Sequence, residues 1–239
     1  SAGVAIDNTN FPDANFRTIV EYYDTNKDSS LSDTEIAAVE EIDCYDKGIS
    51  NLKGIEYFTA LRSLNCGYNQ LTSLDVSKNT ALTNLYCSRN QLTALDVSKN
   101  TALTCLDCRS SQLTALDVSK NTALTYLDCG NNQLTSLDVS KNTALTDLDC
   151  DKNQLTSLDV SNTDMDELNC DDNIYQIVVG NDRTFDLSTL PGNFNVAKTS
   201  DWSGGTVSGN TLTVDSDQDT VTYKYDCGNN KRRTFTLKC

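Results

Sequence analysis

The chain has 239 residues, with 34 acidic and 19 basic side chains, a net charge of −15 and no histidine. That balance argues against a nucleic-acid partner, because phosphate binding needs a basic face. Without histidine the commonest general base, the Ser-His and Cys-His nucleophile pairs and the commonest metal ligand are all missing, so a non-enzymatic role is expected and only thiol or carboxylate chemistry stays open.

No apolar run approaches the length of a membrane span. No signal peptide is visible, and Ser1-Ala2-Gly3 is compatible with a leader removed upstream.

Residues 1–41 read as a helix–loop–helix cap. Phe16, Ile19, Val20 and Tyr23 fall on one helical face, and Pro12 suits a first helical turn. Between the helices, Asp24 to Glu35 reads DTNKDSSLSDTE. This resembles an EF-hand calcium loop, as also used in dockerin-type modules. The resemblance implies calcium held by Asp24, Asn26 and Asp28, by the Ser30 carbonyl and by a bidentate Glu35, with the apolar Leu31 among them. Hard oxygens at that spacing are what calcium requires. Ser29 stands where glycine normally makes the sharp turn, at a steric cost if its φ is positive, and the loop has no partner loop. The run from Ser32 to Glu35 also reads as a capping box that opens the second helix. The two readings are compatible. In either case the segment is expected to close the open edge of the layers that follow.

Those layers are written as one repeated sentence. Leu82 to Ala102 reads LTNLYCSRNQLTALDVSKNTA, and Leu103 to Ala123 reads LTCLDCRSSQLTALDVSKNTA. A further copy starts at Leu124, weaker ones at Leu61, Leu145 and Met165, and a divergent one near Val39. A fixed period of this length means a solenoid, whose units bury their apolar edges only by stacking. Each copy fits L-x-x-L-x-C-x-x-N-x-L, the leucine-rich repeat template with cysteine in its third apolar slot. Strand alternation points Leu85 and Cys87 inward and Asn84 and Tyr86 outward. The second half adds Leu95, Val97 and Ala102 to the core through turns or 3₁₀ pieces, being too short for a good helix. The expected fold class is α/β: a right-handed leucine-rich repeat solenoid with a curved parallel sheet over 42–174, the helical cap before it and a small β cap over 175–239.

These repeats are similar to those of bacterial surface proteins of the internalin-like kind, above all the subgroup that writes LDVSKNTALTxLxCxxNQLT. The match covers roughly residues 39–174. The resemblance implies a bacterial protein, secreted or at the cell surface, that binds its ligands mainly on the concave face.

Cys66, Cys87, Cys108, Cys129 and Cys150 recur every 21 residues, flanked by Cys44 and Cys170. Neighbouring Cα atoms are close enough for a bridge, but Cβ vectors on adjacent parallel strands run side by side. The C-x-x-C pairs that zinc sites use are missing. A ladder of buried thiols is therefore favoured over metal or redox chemistry; so many free thiols would suit an anaerobic habitat. Cys105 takes an outward position and is expected to be exposed and reactive. Cys227 and Cys239 lie outside the ladder, at different heights of a hairpin turning near Gly228, and should not pair. Asn69, Asn90, Asn132, Asn153 and Asn173 form a second column whose amides should satisfy backbone groups, broken at Ser111. Asp75, Asp96, Asp117, Asp138 and Asp159 form a third, read as turn caps or as a calcium ladder.

After Asn173 the repeat stops, and short strands are expected at 177–179, 184–187, 194–197, 211–214, 221–225 and 234–237, between glycine-rich separators. Within the repeats the outward strand positions vary while the core does not. This is the pattern of a recognition surface, or of drift at solvated positions. The candidate binding residues are Asn84, Tyr86, Cys105, Asp107, Tyr126, Asp128, Asp147, Asp149 and Asp151. The tyrosines would anchor a partner, and the crowded carboxylates call for a basic protein surface or a cation. The expected function is an extracellular binding module for a protein or glycan, monomeric and without membrane insertion. The alternative is a spacer domain with a calcium-ordered cap.

Overall fold

The structure is a computed structural model that describes residues 3–239, so Ser1 and Ala2 lie outside it. The N-terminal segment runs β1 (Val4–Ala5), α1 (Ala14–Glu21), β2 (Ser30–Leu31) and α2 (Asp33–Ala37). Helix α1 starts where the Asp13 carboxylate accepts the free N–H groups of Asn15 and Phe16, at 2.9 and 3.1 Å. Pro12 therefore precedes the cap instead of sitting in the first turn. The helix buries Phe16 and Val20, which meet Phe11 and Phe58 in an aromatic cluster over the first layer. The second Asp13 oxygen accepts from Ser50 and Asn51 at 2.7 and 3.1 Å, tying the cap to the first return leg. Helix α2 opens with the capping box of Ser32 and Glu35.

Seven three-residue strands then stack in sequence order: β3 (Glu41–Asp43), β4 (Ser63–Asn65), β5 (Asn84–Tyr86), β6 (Cys105–Asp107), β7 (Tyr126–Asp128), β8 (Asp147–Asp149) and β9 (Glu167–Asn169). All pair in parallel and in register, Leu85 with Leu106 and Leu106 with Leu127. Glu41 already belongs to the first rung, so the sheet begins inside the segment expected to be the cap. From β4 to β8 each rung closes its core with the central strand leucine, the following cysteine and the leucines and valine of the return leg, and Ile42 takes the leucine's place in the first. A fully buried leucine is worth about 2–3 kcal/mol only if its neighbours cover it, which makes each rung depend on the next. The return legs are turns; a single 3₁₀ turn, Ile55–Tyr57, occurs in the first.

Two asparagine columns hold the bends. In the expected one, Asn90 Nδ2 donates to the carbonyls of Cys66, Cys87 and Ser88 while its Oδ1 accepts from Leu71. Asn132 and Asn153 repeat the pattern. The second was not foreseen. Asn79, Asn100, Asn121 and Asn142 are fully buried in the return legs, and each Nδ2 bonds two carbonyls of the preceding layer, as Asn121 does with Val97 and Asn100 at 3.0 and 2.9 Å. Their Oδ1 atoms have no hydrogen-bond partner.

The C-terminal residues form two small sheets. One has the order β10 (Ile174–Gln176), β16 (Arg232–Lys238), β15 (Thr220–Asp226), β12 (Thr199–Ser203); the other runs β11 (Thr184–Asp186), β14 (Thr211–Val214), β13 (Gly205–Ser208). The strand expected at 177–179 lies instead at 174–176, where Ile174 pairs with Thr236. The strand expected at 194–197 gives way to a 3₁₀ turn at Val196–Lys198 capped by Asn195. Strands β12 and β13 were missed: Asp201 interrupts the alternation of the first with φ 54°, and the second opens on Gly205, which reads as a separator. Trp202 stacks on Tyr223 at 4.5 Å. Tyr223 in turn donates to the Thr156 carbonyl at 2.6 Å, and Val160 N–H to the Cys227 carbonyl at 2.8 Å, which docks this unit on the last rungs.

Candidate functional site: the outer face of the sheet

Strand register sorts the outward residues into two straight rows. Asn84, Cys105, Tyr126 and Asp147 are successive partners in one, and Tyr86, Asp107, Asp128 and Asp149 in the other. Asp151 follows one step beyond β8, level with Gly130, Arg109, Ser88, Gly67 and Tyr45. All nine candidate residues therefore share one continuous surface.

Its middle is a hydrogen-bonded chain. Asn84 Nδ2 donates to the Tyr86 phenol oxygen at 3.1 Å, and the phenol bonds the Cys105 thiol. Cys105 is half-buried, not open as expected. Burial raises its pKa despite the Tyr86 hydrogen bond, so the thiol is poorly activated. Tyr126 is the most open of the group, 38% exposed, and burial of its ring together with the charge of Asp128 pushes its pKa up to about 12.

The acidic end departs further from expectation. Asp128 points to this face yet is only 3% exposed. Gly130 explains why: with no side chain there, Asp151 leans across, and a Cβ on Gly130 would meet Asp151 Oδ1 at 2.2 Å and oxygens of Asp128 and Asp149 at 3.2 and 3.3 Å. Among the described residues one cation forms ion pairs with the group. Arg109 lies 3.7 Å from Asp107 and 3.9 Å from Asp128. Burial lifts the Asp128 carboxyl to about 6, against the pull of the Gly130 N–H, and lifts Asp151, which shares a hydrogen bond with Asp149, to about 6.

The opposite end is aromatic. Tyr45 and Tyr68 are 45% and 47% exposed with ring centroids 6.0 Å apart, and the Arg89 guanidinium lies 5.8 Å from the Tyr68 centroid. Sequence reasoning missed both tyrosines. Tyr68 occupies the left-handed position that recurs once per rung (Asp46, Tyr68, Arg89, Ser110, Asn131, Lys152, Asp172; φ 51–57°), and alternation does not describe that position.

In the N-terminal loop, Asp24, Asp28 and Glu35 each bring one carboxylate oxygen within 4.8 Å of the others. Asp24 is 7% exposed and accepts from Ser29 at 2.9 Å, and Ser29 takes the left-handed turn at φ 65°. Asn26 Oδ1 and Asp28 Oδ1 accept from the N–H groups of Asp28 and Ser30 at 3.3 and 3.0 Å. Glu35 accepts from Thr25 at 2.7 Å and Ser32 at 2.8 Å, and these bonds, the one from Ser32 first, hold its carboxyl below the usual range. Leu31 of β2 pairs with Val4 of β1. The donors are all hard oxygens, which fits calcium.

The cysteine ladder is complete. Cys44, Cys66, Cys87, Cys108, Cys129, Cys150 and Cys170 are fully buried, none of the ten cysteines is in a disulfide, and desolvation raises the Cys44 pKa to about 12. Cys227 is buried as well, and burial pushes its thiol up to about 12.

A leucine-rich repeat family profile matches residues 122–170, in two copies. Internalin J of Listeria monocytogenes serotype 4b (strain F2365) is 44% identical over 71 residues, 29% of this chain and 8% of that protein. A solved structure of the functional domain of internalin J from Listeria monocytogenes, described as including a cysteine ladder, aligns with TM-score 0.61 and 38% identity, over 74% of this chain and 45% of that one. The chain therefore has a leucine-rich repeat fold and is similar to internalin J in both sequence and structure. Internalin C2 of the same species superposes with TM-score 0.53 at 22% identity, over 74% of this chain and 88% of its own, a likeness of fold alone. The internalin-like chain spans less than half of the internalin J domain. Among the described residues no helix is long and apolar enough to cross a membrane.

Proposed function

We propose that this internalin-like domain is an extracellular binding module that takes a folded protein partner on the outer face of its sheet. The observation that carries the reading is the contrast within each rung: the leucine, cysteine and asparagine positions repeat, while the two outward rows run through Asn84, Cys105, Tyr126 and Asp147 and through Tyr86, Asp107, Asp128 and Asp149. A rigid backbone presenting an aperiodic row suits an aperiodic partner. Tyr86 and Tyr126 supply anchors of low conformational cost, and the carboxylates beyond them favour basic groups on the partner. A location outside the cell, secreted or on the surface, accords with the Listeria internalins that the repeats match. The test is a binding screen of the chain against an array of extracellular proteins, repeated with Tyr86→Ala/Tyr126→Ala and with Asp149→Asn/Asp151→Asn. Partners lost in both variants support the reading. Partners indifferent to both, or none at all, would leave a spacer domain as the better account.

We also propose that the Asp24–Glu35 loop binds calcium through Asp24, Asn26, Asp28, the Ser30 carbonyl and Glu35, and so orders the cap. Three carboxylate oxygens within 4.8 Å repel one another unless a cation neutralises them. Calorimetric titration with calcium chloride decides the matter: heat from the chain that is absent from Glu35→Gln supports the site, and no heat from either makes the loop a plain capping box.

A further inference from the structure

The two solvent faces of the solenoid differ in kind. Residues on the sheet face change from rung to rung. Those on the return legs do not: Asp75, Asp96, Asp117 and Asp138 are exposed and identical in successive copies, and so are Lys78, Lys99, Lys120 and Lys141. Local structure accounts for the aspartates, each of which caps its turn by accepting from the serine N–H two residues on, at 2.8–2.9 Å. Each lysine adds a weaker pull on the aspartate of its own leg, yet among the described residues none of the four is in an ion pair, so their ammonium groups stay open to a ligand.

Asp75 with Lys78, and Asp117 with Asp138 and Lys141, line hollows along one row of the return legs, an interrupted groove. Its floor is the second leucine of each leg: Leu74, Leu95, Leu116 and Leu137 are 7–9% exposed, whereas Leu71, Leu92, Leu113 and Leu134 are closed at 0%. Hollows open along it at Leu74 with Asp75 and Lys78, about 340 Å³, and at Leu116 with Asp117 and Lys141, about 380 Å³. The largest, about 530 Å³, ends the groove where Asp138 and Asp159 face Lys198, Asn195 and Tyr225 of the C-terminal unit.

In-register stacking repeats this chemistry every ~4.8 Å. A surface that repeats without change suits a ligand that also repeats. One aspartate and one lysine per rung leave the groove neutral on a chain of net charge −15, so it favours neither a polyanion nor a polycation. The remaining match is a neutral, polyhydroxylated, extended polymer. Apolar faces of its rings would lie on the leucine floor, with hydroxyls donating to the aspartates and accepting from the lysines. We propose that the return-leg groove binds a linear, neutral, β-linked polysaccharide that runs along the solenoid into the cleft against the C-terminal unit. This site is separate from the sheet face and does not depend on it.

The test is a heteronuclear NMR titration of the chain with cello-, manno-, xylo- and chito-oligosaccharides, each as disaccharide, tetrasaccharide and hexasaccharide. At least one series should shift the amides of Asp96, Lys99, Asp117 and Lys120, with the hexasaccharide about tenfold or more tighter than the disaccharide as successive rungs engage. Ala94→Arg with Ala115→Arg, both at exposed positions of the return legs, should weaken that binding about tenfold by blocking the groove, with thermal unfolding unchanged. The proposal falls if none of the hexasaccharides shifts those amides at millimolar concentration. It also falls if the shifts map to the sheet face, or if affinity ignores both chain length and the arginine pair.

Discussion

Replacing Ser111 with asparagine should stabilise the protein. In the rungs on either side the asparagine column is intact: Asn90 and Asn132 each donate to three carbonyls and accept from one leucine N–H. At Ser111 the corresponding groups are the carbonyls of Cys87, Cys108 and Arg109 and the N–H of Leu92, by the same offsets in sequence. The serine hydroxyl is too short to reach them, and its buried oxygen has no partner. A buried hydrogen bond nets about 1 kcal/mol and an unsatisfied buried amide costs about 1–3 kcal/mol. Set against the side-chain entropy of one fixed amide, the gain should be roughly 1–3 kcal/mol. Urea denaturation followed by circular dichroism reads it as a rise in midpoint at constant slope. The reverse change, Asn132→Ser, should lower the midpoint by a similar amount. A Ser111→Asn protein no more stable than the parent would refute the idea that the column works through its backbone bonds.

Three further outcomes follow from the geometry. Asp128 titrates near 6 in the fold against about 3.9 unfolded, so its raised pKa favours folding at low pH, and that contribution is lost as pH rises from about 4 through 6. Asp128→Asn keeps the acceptor for Gly130 and removes the charge; it should add about 1–3 kcal/mol at pH 7 and little at pH 4, as measured by paired urea melts. Gly130→Ala should push the Asp151 carboxylate aside, because its Cβ would stand 2.2 Å from a flexible side-chain oxygen. The Asp128 carbon resonance should then titrate at lower pH, with folding little affected. Asn121→Ala removes two bonds between layers at 3.0 and 2.9 Å and should cost roughly 2–3 kcal/mol; a loss under half that would mean the orphaned Oδ1 already offsets the column's benefit.

The sequence made the solenoid legible because its period is short and each apolar slot is occupied in nearly every copy. Leu85 and Cys87 point inward as alternation requires. The second asparagine column was hidden because Val-Ser-Lys-Asn reads as an ordinary turn, and nothing in one strand of text says that Asn121 touches the carbonyl of Asn100. Asp128 was placed on the right face but taken as open; its burial comes from a glycine in the next row. Strand β12 escaped because the left-handed Asp201 breaks its pattern and its partner β15 is distant in sequence, and β13 because Gly204-Gly205 reads as a separator although the strand forms a hairpin with β14.

The thiol ladder has a consequence for the life of the molecule. While the fold is closed, no oxidant meets a thiolate in it, and the ladder is indifferent to air. A habitat without oxygen is therefore not required by the ladder. Once the rungs separate, however, eight buried thiols become available at once, and random disulfides can form faster than seven parallel strands regain register. In an oxidising medium unfolding then acts as a ratchet: the lifetime of the protein is set by how often it opens, not by how stable it is at equilibrium.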